Sequence, residues 1–147
     1  MSEDILRDVL ETALTQHVSE VPATLDRTLI SAVVLRELDR ALDRYPVWAH
    51  PFAGLVFSRA RRSFGRAYRD GRIAISTVFV GTSALEDLED TVRHELAHLI
   101  AGVDQQHGAR WRRVAKDLGA VPRATGRSRC ATLHERMQHA PLTLVAV

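Results

Sequence analysis

The stretch RHELAHLIAGVDQQHGARW, residues 93–111, brings His94, Glu95, His98 and His107 into one short segment. On a helix, His94 and His98 stand at i and i+4, so they project from one face about a turn apart, a spacing that suits two imidazole nitrogens on one small cation. Glu95 lies about 100° around the same helix, free of ligation and able to reach a metal-bound water as general base. Zinc that activates water needs a third protein ligand and an open fourth position. His107 is the preferred third ligand, because the short loop VDQQ after Gly102 can return it to the helix end and Gly108 allows close backbone approach. Glu135, thirty-seven residues past His98, is the other route.

The competing reading is a helix that carries incidental histidines. Against it, His94 falls just off the apolar stripe of Val92, Leu96 and Leu99, where an unsatisfied polar group is costly. A metzincin would need Gly and His three and six residues after His98, but Ala101 and Asp104 stand there. HERMQH offers His134, Glu135 and His139, but an i, i+5 pair diverges by about 140° on a helix and reads as tail surface. His17 and His50 have no partner at ligand spacing.

The surrounding elements must position this segment. Ser2 can cap a first helix with Ile5, Val9, Leu10 and Leu14 on one face, ending near His17. Thr24 can cap a second, with Leu25, Leu29, Val33, Leu38 and Leu42 as its buried stripe, stopped by the prolines of YPVWAHP. From Gly54 the pattern turns β-like through GLVFS, GRAYR and RIAIS, and Asp70-Gly71 is a hairpin signal. Ile73 and Ile75 point to one face, Arg72 and Ala74 to the other, which predicts a hairpin covered on one side. The metal-bearing helix is expected over 84–102, entered through Thr82-Ser83 and closed by Gly102. Another helix, roughly 108–118, turns Trp111, Val114, Ala115 and Leu118 inward. A basic loop and a terminal strand LTLVAV are expected beyond it. The fold class is therefore α+β: a helical amino-terminal half, a small antiparallel sheet, and the HExxH helix packed on it.

A chain of 147 residues suits a single domain, residues 1–147, and its 46% apolar and 26% charged residues are ordinary for a globular protein. With Cys130 as the only cysteine, no disulfide framework or cysteine zinc ribbon can form within the chain, which leaves His, Asp and Glu to hold metal. No signal peptide and no membrane-length apolar run is visible, so a cytoplasmic protein without membrane association is expected. Net charge is +2, but residues 53–147 carry fifteen basic against nine acidic side chains. This asymmetry reads as solvated surface, with a nucleic-acid patch as the alternative.

HELAH, the nearby HG with an aromatic in HGARW, and the preceding FGRAYRDGRIAIS together resemble the SprT-like zinc metallopeptidases, the group that includes Spartan. The likeness runs from about Leu38 to Pro122. It implies a zincin-like fold, zinc on His94, His98 and His107, Glu95 as catalytic acid/base, and Trp111 packed behind the site. It also implies a protein substrate, with DNA as an associated partner and DNA-crosslinked proteins as targets. Many members continue into a cysteine zinc ribbon, which is not expected here. The leading expectation is thus a zinc-dependent metalloprotease acting through a metal-bound water. The alternative is a nucleic-acid-associated module with a structural zinc and Arg clusters at 59–72 and 110–113 on phosphate.

Overall fold

Asp26 accepts a hydrogen bond from the Leu29 N–H at 2.7 Å and caps helix α1 (Arg27–Arg44). The cap lies two residues beyond the expected Thr24, because Leu25 is tied down elsewhere. Its N–H donates to Thr82 O, its carbonyl accepts from Gly81 N–H, and its side chain is buried. The computed structural model describes residues 5, 7, 8 and 24–121. Of the expected first helix, Ile5, Arg7 and Asp8 are described and helical, and Arg7 bonds Asp39 of α1. The rest of that helix and everything after Val121, including Cys130, His134, Glu135, His139 and LTLVAV, lie outside the described residues, as does His17.

The buried face of α1 is Leu29, Ile30, Val33, Val34, Glu37 and Ala41, whereas Leu42 is 43% exposed. The expected stripe was rotated, because it passed over a carboxylate that is in fact inside. Glu37, 2% exposed, accepts from Arg93 Nε at 2.9 Å and Nη2 at 3.0 Å, and from Arg40 Nη1 at 2.9 Å. Burial pushes the Glu37 carboxyl up, but the Arg93 hydrogen bond and the charges of Arg93, Arg40 and Arg36 outweigh it and hold the group below its ordinary value. Arg93 precedes the first histidine, so this fork ties the histidine-bearing helix to α1. Glu37→Ala leaves a guanidinium facing a buried gap and is expected to cost about 3–5 kcal/mol in urea unfolding. The contribution of the depressed carboxyl is present above about pH 4.3 and fades as pH falls through its lower folded pKa. A loss within 0.5 kcal/mol, about the effect of an ordinary surface substitution, would show that water already satisfies the pair.

Three strands follow: β1 (Gly54–Ser58), β2 (Gly65–Ala67) and β3 (Arg72–Ser76), in the order β1-β3-β2. β2 and β3 form the expected antiparallel hairpin, with Gly65 opposite Ile75 and Ala67 opposite Ile73. The sheet is nevertheless mixed rather than antiparallel, because β1 runs parallel to β3, Leu55 opposite Ile73 and Phe57 opposite Ile75. Residues 59–64 carry the chain past β3 to its far edge, held by Ser76 N–H on Phe64 O and Ser76 Oγ on Ala60 O. β3 is thereby central, and all of Ile73–Ser76 is buried instead of one face only. Ala74 lies between Val56 and Arg66 on the adjacent strands, which cover the face expected to be open.

The hairpin turn closes through Gly71 N–H on Tyr68 O at 3.0 Å. Gly71 has φ 94°, and a Cβ there would meet Pro51 O at 1.9 Å. Both conformation and space therefore require glycine.

Helix α2 (Leu85–Ala101) packs on the sheet and on α1, and α3 (Ala109–Leu118) packs on α2. Their bounds fall within a residue of those expected. Leu88, Val92, Leu96 and Leu99 of α2 join Ile73, Ile75 and the α1 face in one cluster, as do Trp111, Val114, Ala115 and Leu118 of α3. Ala49 and His50 donate backbone N–H groups to Ile100 O and Leu99 O, satisfying carbonyls at the end of α2. No described helix is long and apolar enough to cross a membrane.

Candidate metal centre

α2 continues unbroken through His94 and His98 and ends at Gly102, whose φ of 107° turns the chain. A 3-10 turn, Val103–Gln105, follows, and Gln106 takes φ 48°. A positive φ on a non-glycine residue costs on the order of 1–3 kcal/mol. Nothing in the residue type of Gln106 announces this bend, yet it precedes the residue that must return to the helix. Gly108 N–H bonds Gln105 O at 3.0 Å, and a Cβ on Gly108 would stand equally close to that oxygen.

The outcome is convergence. His107 Nε2 lies 3.2 Å from His94 Nε2 and 3.2 Å from His98 Nε2. One donor nitrogen from each ring falls within 4.8 Å of the others. Two nitrogens each about 2.05 Å from a tetrahedral zinc stand about 3.3 Å apart, so the spacing fits ligands of one such ion. Glu135, the other route to a third ligand, lies outside the described residues.

Trp111 forms the wall behind all three rings. It is fully buried, stacks on His98 with planes 23° apart, and meets His94 and His107 with ring centroids 4.6 Å away. Its Nε1 donates to His94 O at 3.3 Å. Burial lowers the pKa of His94 to about 4, with the His107 charge adding to the effect. Burial, then His94 and His107, lowers that of His98 to about 3. Both rings are therefore neutral at pH 7, the form in which imidazole binds metal.

Glu95 is 5% exposed, and its Oε1 lies 3.7 Å from His94 Nε2. Its Oε2 has no hydrogen-bond partner among the described residues. An orphaned buried carboxylate oxygen is costly and rare, and beside three converging imidazoles it fits a site built to receive a cation and its solvent. Burial raises the pKa of Glu95 to about 8, against a weaker opposing pull from Arg66. A raised carboxyl pKa favours folding fully below the unfolded value of about 4.3, and the advantage is lost as pH rises toward 8. In chelator, the parent should therefore lose on the order of 3 kcal/mol relative to Glu95→Gln between pH 5 and 8 in urea unfolding. Taking the difference removes the opposite slope of His94 and His98, whose depressed values favour folding above about pH 6.5. A difference that does not change with pH would sink this assignment.

The model of the SprT-like family matches residues 35–138, 104 of the 147 in the chain. The chain belongs to the SprT-like family. No curated protein and no solved structure matches it. The SprT-like match covers Glu37 and the second half of α1, the whole sheet, all three histidines and Trp111. Membership suggests a hydrolase of metallopeptidase type.

Proposed function

We propose that this SprT-like chain is a zinc-dependent metalloprotease in which His94, His98 and His107 hold the ion and Glu95 is the catalytic acid/base. The observation that carries the reading is the buried Oε2 of Glu95, without a hydrogen-bond partner among the described residues, beside a His107 Nε2 that lies 3.2 Å from the Nε2 of both His94 and His98. Zinc bound there would supply a Lewis acid for the scissile carbonyl and lower the pKa of water toward neutrality. Glu95 takes the proton of the attacking water on its carboxylate and returns it to the leaving amine as the peptide bond breaks. Its burial favours the protonated state that follows the first transfer, and the charge of a bound dication would draw the metal-free pKa of about 8 down, so that the carboxylate is ionised when water attacks. Trp111 keeps the three rings fixed and excludes water from behind them.

The substrate in this reading is a protein or peptide. The test measures metal content and cleavage of an unstructured polypeptide such as casein, with and without chelator. Stoichiometric zinc and chelator-sensitive cleavage are expected, whereas fully loaded protein that cleaves nothing would overturn the reading.

A second reading is favoured by the loop before β2. Arg59, Arg61 and Arg62 are exposed there and form no ion pair among the described residues. In that reading the metal is structural and the arginines contact nucleic-acid phosphates. Binding that weakens steeply with salt, without cleavage under any condition, would select it.

A further inference from the structure

Gly65 is the first residue of β2, an edge strand of the sheet that packs beside α2. A glycine within a strand usually signals a bend or a close approach by another group. Gly65 is not among the residues of positive φ, so its backbone would accept any L-residue. The constraint is one of space. A Cβ built there would stand 2.9 Å from Thr91 Cγ2, 3.1 Å from Ala74 O and 3.1 Å from Glu95 Cγ. Thr91 and Glu95 are one turn apart on α2 and straddle the glycine. The stem of Glu95 therefore runs between the bare backbone of β2 and the histidines, with its Oε1 3.7 Å from His94 Nε2.

We infer that Gly65 is a positioning residue for Glu95, its missing side chain leaving the slot in which the carboxylate is held against the metal centre. The inference rests on the reading of Glu95 as acid/base. Thr91 cannot yield easily. It is β-branched, and its Oγ1 is bonded to Asp87 O at 2.8 Å. Ala74 O belongs to the central strand. Glu95 Cγ, on an unbranched side chain, is the contact able to move, and moving it swings the carboxylate. Relieving the 3.1 Å contact asks only a few tenths of an ångström of Cγ, but the side-chain rotation that supplies it is magnified at the carboxylate, where a misplacement of about 1 Å can cost on the order of 100-fold in rate.

Four variants test this: Glu95→Gln, Gly65→Ala, Thr91→Ser, and Gly65→Ala combined with Thr91→Ser. Thr91→Ser removes Cγ2, the nearest clash, and leaves Glu95 in place. The expected pattern is a fall in kcat of about 10–100-fold in both Gly65→Ala proteins, with KM and zinc content unchanged. Tm should fall in the single variant and recover in the double, and Thr91→Ser alone should match the parent. Crystals of the double variant should show the Glu95 carboxylate displaced relative to the parent.

Parent kcat in the double variant, or an undisplaced carboxylate, overturns the proposal. A rate loss matched by lost zinc does the same, and failure of both Gly65 variants to fold assigns the glycine to general sheet–helix packing. Glu95→Gln at the parent rate removes the underlying reading instead. A dead Glu95→Gln with a normal Gly65→Ala removes the inference alone.

Discussion

Glu95→Gln is expected to bind zinc as the parent does while kcat falls by about 100- to 10,000-fold, the range contributed by a positioned general acid/base. The amide keeps the shape of the carboxylate, so the contacts of its stem with β2 and α2 are preserved. What is lost is the ability of Oε1 and Oε2 to take a proton. Because the group is 5% exposed, bulk buffer has little access to substitute for it. The loss should fall on kcat rather than KM, since the proton is moved in the transition state and not on binding. Steady-state cleavage of a peptide, paired with metal analysis of the same preparation, checks this. Turnover within twofold of the parent would remove Glu95 from the chemistry.

His107→Ala should have the complementary signature. It removes one of three converging nitrogens and leaves His94 and His98 on an intact turn of α2. Structural zinc sites with four ligands bind with about 10–16 kcal/mol, or roughly 2.5–4 kcal/mol per ligand. Loss of one ligand then weakens zinc by a factor on the order of several hundred. Competition with a chromophoric chelator measures that factor directly, and the zinc-dependent rise in Tm should shrink with it. Unchanged zinc affinity would move the third ligand elsewhere, with Glu135 next to examine. The two substitutions separate holding the metal from using it.

The helices that carry the centre were legible because each obeys local rules. The apolar period from Leu85 to Leu99 and the glycine at 102 delimit α2. Gly108, the inward stripe with Trp111, and Gly119 in the left-handed region delimit α3. The two histidines one turn apart needed only helical geometry to become neighbours. The sequence is silent where a residue's environment is built by distant chain. Nothing local announces that Glu37 is inside, because its partner Arg93 is fifty-six residues away. β1 was expected in an antiparallel sheet, because alternation along a strand carries no information about the direction of its neighbour. Gly65 lies in the hairpin stretch FGRAYRDG, but the Thr91 and Glu95 side chains that crowd it belong to α2.

From its order of residues alone, this chain determines a helix bearing two imidazoles and a carboxylate at fixed angular offsets, since those offsets follow from 3.6 residues per turn. Only the tertiary structure decided three further things: that His107 closes on the first two nitrogens, that Glu95 Oε2 is enclosed without a hydrogen-bond partner among the described residues, and that the sheet lies near enough to hold the side chain. Convergence and burial depend on how separate segments pack, and packing is set by the whole fold rather than by any local spacing.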